Sequence, residues 1–261
     1  MQKTIIIILA ALAAAPAYAQ SCAQTDAALA KAYTEMVESG SYGSEGSANE
    51  DKRAAAEKHF GATLKTYLKQ KDSWACTFTL TSGAGVAVYT SGDKRLRGFS
   101  WDSQSGGTLH EYQTILQYLD ASGKPRIREG GDGFLTGIQA DTLGKHGTAY
   151  ILTEATRAST TLRGQSLSLL HIKNGSLQPL NIIRANGRTT NTLGYEYITS
   201  DSDNQDFAYD APSKTISFPL VPQTKAGSPE ADYGAAEVSS RRIRYRFDGA
   251  YFSLLKTVRQ Q

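Results

Sequence analysis

The sequence predicts an α+β protein that is mostly β: an N-terminal helical hairpin packed on an antiparallel β-rich body, closed as a sandwich, a barrel or an irregular propeller-like array. Two observations carry this. Between Leu29 and Leu68 the apolar residues recur at helical spacing. From Trp74 onward they alternate, or fall in short runs separated by Gly, Asn, Asp and Ser, the pattern of short strands and tight turns. Composition agrees, since 40% hydrophobic and 20% charged residues describe a globular chain and exclude a disordered one.

Residues 1–19 read as a secretory signal peptide. Lys3 gives a positive start, Ile5 to Ala15 form an unbroken apolar run, and Ala17-Tyr18-Ala19 is a small-x-small cleavage site. That run falls well short of the roughly twenty residues a bilayer-spanning helix needs, and Pro16 interrupts it. No later stretch is apolar enough to span, so no membrane span is expected after cleavage. Ala19-Gln20-Ser21 before Cys22 lacks the aliphatic-then-small pattern of a lipidated N-terminus. The expected location is periplasmic or secreted, in a bacterium. In that oxidising setting Cys22 and Cys76, the chain's two cysteines, predict a disulfide. Their spacing is not C-x-x-C, and no His stands at ligand spacing, so redox and zinc roles are not expected.

The first helix places Leu29, Tyr33, Met36 and Val37 on one face and stops at Gly40. Ser47-Ala48-Asn49-Glu50 has the form of a capping box for the second. There Ala56, Phe60, Leu64, Tyr67 and Leu68 make the apolar stripe, and Lys65, Lys69 and Lys71 suit its negative C-terminus. Gly40 to Gly46, rich in Ser and Gly, reads as the loop between them. This hairpin is assigned to residues 20–72 and the β-rich domain to 73–261.

Trp74, Cys76, Phe78 and Leu80 alternate with small or polar residues and predict the first strand, with Cys76 on its apolar face. Further strands are expected at Val86–Tyr89, Leu96–Trp101, Thr108–Leu119, Thr148–Leu152, Gln165–Ile172, Leu177–Ile183, Leu193–Ile198, Thr215–Leu220, Arg241–Phe247 and Ala250–Thr257. Asn174-Gly175 and Asp248-Gly249 are strong two-residue hairpin turns. Around the first, Leu167, Leu169, Leu180 and Ile182 share one face, and Leu170, Ile172 and Leu177 the other, which predicts strands buried on both sides. Around the second, a two-residue loop would pair Phe247 with Ala250, Tyr245 with Phe252 and Ile243 with Leu254 on a dry face. It would set Arg246 against Tyr251 and Arg244 against Ser253 on the other. Gly130-Gly131-Asp132-Gly133 reads as a turn, and Gln223 to Ser239 as a long polar loop.

Four groups of residues bear chemistry. Asp102, Ser105, His110 and Glu111 could furnish a hydrolase. Ser105-Gly106-Gly107 resembles the Ser-Gly-Gly of a trypsin-like nucleophile, but over three residues only, and Ser103-Gln104 stand between the Asp and the Ser. A G-x-S-x-G elbow is absent. Strand alternation sends His110 and Glu111 to opposite faces, which weakens an acid–base pair. Asp201, Asp203 and Asp206 open like a calcium loop. The sixth and twelfth positions, however, hold Asp206 and Pro212 where an EF-hand needs Gly and Glu. Arg242, Arg244 and Arg246, beside Arg241 and facing Tyr251, form a guanidinium row suited to a carboxylate, a phosphate or an acidic protein. His59, His110, His146 and His171 have no zinc spacing. No cofactor is expected. A formal charge of +3 gives no case for nucleic acid. The leading expectation is a non-enzymatic exported binding protein of inhibitor, immunity or assembly-factor type, engaging a protein or the cell wall. The alternative is a secreted hydrolase with a site near Asp102, Ser105 and His110.

Overall fold

The computed structural model describes residues 21–40, 48–131, 133–199, 207–222 and 237–255. Two long helices open it. α1 (Cys22–Ser39) starts on a capping box in which the Ser21 hydroxyl accepts from the Gln24 amide and the Gln24 side chain accepts from the Ser21 amide. It ends at Gly40. α2 (Glu50–Leu68) begins later than the capping-box reading implies. Asn49 is its N-cap, accepting from the Lys52 amide at 2.9 Å, which leaves Glu50 and Asp51 in the first turn where the helix dipole favours them. Ser47 lies outside the described residues. Leu29, Tyr33, Met36, Phe60, Leu64 and Leu68 are buried as expected, whereas Val37 is left 37% exposed.

The strand expected at Trp74–Leu80 is helical instead. A 3₁₀ turn occupies Lys71–Ala75 and a short α3 occupies Thr79–Gly83. Phe78 adopts a left-handed φ of 53°, which breaks any extended run. Asp26 of α1 accepts from the amides of Leu80 and Thr81 and from the Thr81 hydroxyl, satisfying the start of α3. Cys76 is bonded to Cys22 with Cα atoms 5.4 Å apart. The bond therefore ties α1 to the chain following α2, within the helical layer, rather than to a strand.

Fifteen strands follow among the described residues. They are β1 (Ala87–Thr90), β2 (Leu96–Gly106), β3 (His110–Leu119), β4 (Pro125–Glu129), β5 (Phe134–Thr142), β6 (Thr148–Arg157), β7 (Leu162–Lys173) and β8 (Ser176–Pro179). The remainder are β9 (Ile183–Ala185), β10 (Arg188–Thr190), β11 (Thr192–Ile198), β12 (Ala208–Asp210), β13 (Thr215–Pro219), β14 (Arg242–Phe247) and β15 (Phe252–Leu254). Sheet A has the order β1-β2-β3-β4. Sheet B is β11-β7-β6-β5 with β8 paired to β7, and sheet C is β10-β9-β15-β14-β13-β12. Among the described residues all pairings are antiparallel except β15 with β9, where Phe252 faces Ile183 in a parallel pair.

Among the described residues three cores join four layers. Phe60, Leu64 and Phe78 of the helical layer meet Phe99, Trp101 and Ile115 of sheet A. Leu96, Leu116 and Tyr118, on the other side of sheet A, meet Leu135, Leu152 and Leu170 of sheet B. The far side of sheet B, with Ile151, Leu167 and Leu169, meets Ile216, Phe218 and Phe252 of sheet C. Gly98 sets the spacing of the second interface, because a Cβ there would stand 2.4 Å from Leu135 Cδ2.

Asn174 and Gly175, at φ 52° and 74°, make the expected turn, with Lys173 opposite Ser176. The Asp248-Gly249 turn differs. The Asp248 carboxylate accepts from the amides of Ala250 and Tyr251, which lengthens the connection, and Phe247 faces Phe252 rather than Ala250. The register thus slips by two. Tyr245, Phe247 and Phe252 keep the dry face, Tyr245 faces an exposed Leu254, and Arg246 faces Ser253 instead of Tyr251.

Candidate functional site

The end of the β2–β3 hairpin gathers the hydrolase candidates. Register shifts between Asp102 and Gly106, and Gln104 sits in this bulge at φ 59°. Asp102 stands opposite Tyr112, and its Oδ2 lies 2.5 Å from His110 Nδ1. His110 in turn stacks on Tyr112 with ring centroids 6.0 Å apart. The bulge turns Ser103 and Ser105 the same way, with their hydroxyls 2.6 Å apart, and Ser105 Oγ donates to Glu111 Oε2 at 2.6 Å. Alternation along β3 sends Glu111 to the opposite face from His110. The sheet therefore runs between a His–Asp pair on one side and a Ser–Ser–Glu chain on the other, whereas an acyl-transfer relay needs the imidazole between carboxylate and hydroxyl.

The helices grip this end of the hairpin. Arg53 donates to the Ser103 carbonyl at 2.7 Å while paired with Glu50 and Glu57. Burial, with the charge of Asp102 adding to it, pushes the Tyr33 phenol up to about 12, and Tyr33 also bonds Gln104 and the Asp102 backbone. These contacts make the hairpin end a packed part of the scaffold.

The arginine row lies on the outer face of sheet C. Tyr245 points into the core, so Arg242, Arg244 and Arg246 point away from it. Arg242 is held by Ser217, to whose hydroxyl and carbonyl it donates at 3.2 Å and 3.0 Å. Arg244 and Arg246 are exposed, and their side chains have no hydrogen bond or ion pair among the described residues. Cross-strand register sets hydroxyls beside them: Ser217 opposite Arg244, and Thr215 and Ser253 on either side of Arg246.

Tyr251 serves a different partner from the expected one. The Arg184 guanidinium of β9 lies 4.0 Å from its ring centroid. Arg184 faces Ser253 through the parallel pair, which places it two strands from Arg246 on the same face, with β15 between them. The amides of Tyr251 and Ala250, and after them the charge of Arg184, hold the Asp248 carboxyl below the usual range. Arg184 could not be read from the sequence, because only the long-range β15–β9 pairing brings it to the row.

Asp201, Asp203 and Asp206 lie outside the described residues. Among the described residues no group of three or more His, Cys, Asp or Glu side chains is placed to hold a metal ion, and no helix is long and apolar enough to cross a membrane. Compared with known proteins, the chain matches no family model, no curated protein and no solved structure.

Proposed function

We propose that this is an exported, non-enzymatic binding protein of the bacterial envelope, periplasmic or secreted, which engages an acidic surface of a protein or cell-wall partner through the outer face of sheet C. The observation that carries the reading is the pair of exposed guanidiniums of Arg244 and Arg246, unpaired among the described residues and set among the hydroxyls of Thr215, Ser217 and Ser253. A guanidinium gives a carboxylate or phosphate two parallel donors, and adjacent hydroxyls add neutral ones. The N-terminal charge, apolar run and small-x-small site support export, as does the Cys22–Cys76 bond. The split arrangement at Ser105 and His110 favours binding over hydrolysis.

The test uses the mature protein and an Arg244→Ala/Arg246→Ala double variant. Each is measured for co-sedimentation with isolated cell walls and for capture of partners from periplasmic extract, at low and high salt. Two exposed ion pairs of up to about 1 kcal/mol each imply a loss of up to about thirtyfold in retention, and the wild-type retention should fall with salt. Retention that neither the variant nor salt diminishes would remove this face from the function.

A further inference from the structure

The side of sheet B that faces sheet A is dry for only part of its length. Leu152 and Leu170 are packed there against Leu116, but further along β7 the same face carries Ser168 and then Ser166. Register lays three rows across the strands: Thr192, Ser168 and Leu152; then Gly194, Ser166 and Glu154; then Glu196, Gly164 and Thr156. An exposed sheet face is normally covered by long polar side chains. Here the glycines and serines leave a recess of about 720 Å³, walled on one side by Arg128 and by Gly130, Gly131 and Gly133 of the loop after β4. That volume is in the range of small-molecule sites, roughly 300–1,000 Å³.

Its lining is chemically specific. Glu154 is seated beneath the loop, where a Cβ on Gly131 would stand 2.6 Å from its Oε1 and 2.9 Å from Thr114 Cβ. Gly131 is also in a positive-φ conformation, at 143°. Ser166 Oγ lies 3.5 Å from Glu154 Oε2, and Glu196 comes in from β11 on the other flank. Two carboxylates that accept, hydroxyls that both donate and accept, and a dry end at Leu116, Leu152 and Leu170 match a molecule with hydroxyls around its edge and C–H groups on its face.

From this geometry we infer that the recess binds a neutral saccharide. The site is independent of the arginine face, since it lies on the opposite side of sheet B from sheet C. Gly194 offers a clean probe. Its φ is not in the left-handed region, and the atoms nearest a new Cβ are an ordinary 3.4 Å and 3.8 Å away, so the backbone accepts a side chain there, on the face of β11 that lines the recess. The full-length exported protein and the Gly194→Leu and Glu196→Gln variants are titrated calorimetrically with maltose and with a neutral chito-oligosaccharide. The cationic, de-N-acetylated chito-oligosaccharide is titrated alongside, and thermal unfolding is recorded for each protein.

The expected result is saturable binding of a neutral saccharide that weakens about tenfold or more in Gly194→Leu and several-fold in Glu196→Gln, at unchanged melting temperature. Three results overturn the proposal. Neither neutral sugar binds; only the cationic oligomer binds, which assigns the carboxylates to an amine; or both variants keep wild-type affinity while folding normally. None of these outcomes bears on Arg244 and Arg246, so failure here is distinguishable from failure of the acidic-partner reading.

Discussion

Arg97 is 5% exposed, yet it carries a charge between two layers. Its guanidinium donates to the carbonyls of Cys76 at 2.6 Å and Ser73 at 2.8 Å and to Gln117 Oε1 at 2.6 Å. Its Cζ lies 4.9–5.2 Å from the ring centroids of Trp74, Phe78 and Phe99. Fully buried Gln117 extends the network to the Leu68 carbonyl and the Ser73 hydroxyl. Burial pushes the Arg97 guanidinium down to about 10, so it remains protonated at neutral pH. A lysine could place a charge here, but not a planar fork between three rings and three acceptors. Arg97→Lys should therefore cost about 3 kcal/mol in urea unfolding, since two or more buried acceptors lose their donor. A loss well below about 1 kcal/mol would show that the network does not hold the layers together. The sequence held a signal for this residue: Arg97 shares strand parity with Phe99 and Trp101, which marks it as facing the core. Two of its acceptors could not be read, because they are the main-chain carbonyls of Ser73 and Cys76, just before and within a segment whose alternation reads as a strand.

That segment shows why local pattern fails where a partner overrides it. Trp74 to Leu80 alternates like a strand, but Asp26, more than fifty residues away, supplies the cap that makes Thr79–Gly83 helical. β7 and β8 were legible because both signals agreed, apolar residues on two faces and a turn whose two positions accept positive φ. β4, β5, β9, β10 and β12 were not, and the expected Leu177–Ile183 strand divides into β8 and β9. β4 starts on a proline, β5 is interrupted by an irregularity between Leu135 and Gly137, and β10 and β12 are three residues each. In the arginine row, Arg242, Arg244 and Arg246 followed from alternation, whereas Arg184 depended on a parallel pair that no local feature announces.

A long-range contact of testable strength joins the edges of sheets B and C. Asp141 of β5 accepts from Lys214 Nζ at 2.8 Å and from the Tyr209 hydroxyl at 2.5 Å. Burial alone would raise its pKa, but Lys214 and Tyr209 hold it below the usual carboxylate range. A group depressed on folding contributes stability that is complete above the unfolded value, about 3.9, and is lost as pH falls through the folded one. Asp141→Asn should thus be about 1–2 kcal/mol less stable than wild type at neutral pH, with the difference shrinking below about pH 4. Denaturant midpoints across that range provide the check, and a pH-independent difference would assign the effect to packing. The disulfide is tested in parallel. It closes a sequence separation of 54, for which chain entropy suggests about 4 kcal/mol as an upper value, so the Cys22→Ser/Cys76→Ser pair should melt well below wild type.

At the scale of the molecule, sheet A decides whether the helices form a separable module. Both of its faces are covered, one by the helical layer and one by sheet B. Double burial was hard to read in β2, because Gly98, Ser100 and Arg97 dilute the apolar signal that the leucines of β7 give plainly. A chain beginning at Val86 would uncover Phe99, Trp101 and Ile115 together with the Arg97 charge. Large apolar side chains are worth roughly 1.5–3 kcal/mol each when buried. Exposing these three removes an amount comparable with the whole net stability of a domain, about 5–15 kcal/mol. Such a fragment should therefore bind a hydrophobic dye, associate in sedimentation and lose cooperative unfolding, although sheets B and C keep their own core. A monodisperse fragment with a sharp thermal transition would show the opposite. The helices would then be an accessory layer, and the Cys22–Cys76 bond a local brace rather than a clamp on the hydrophobic stack that supports the arginine face and the saccharide recess.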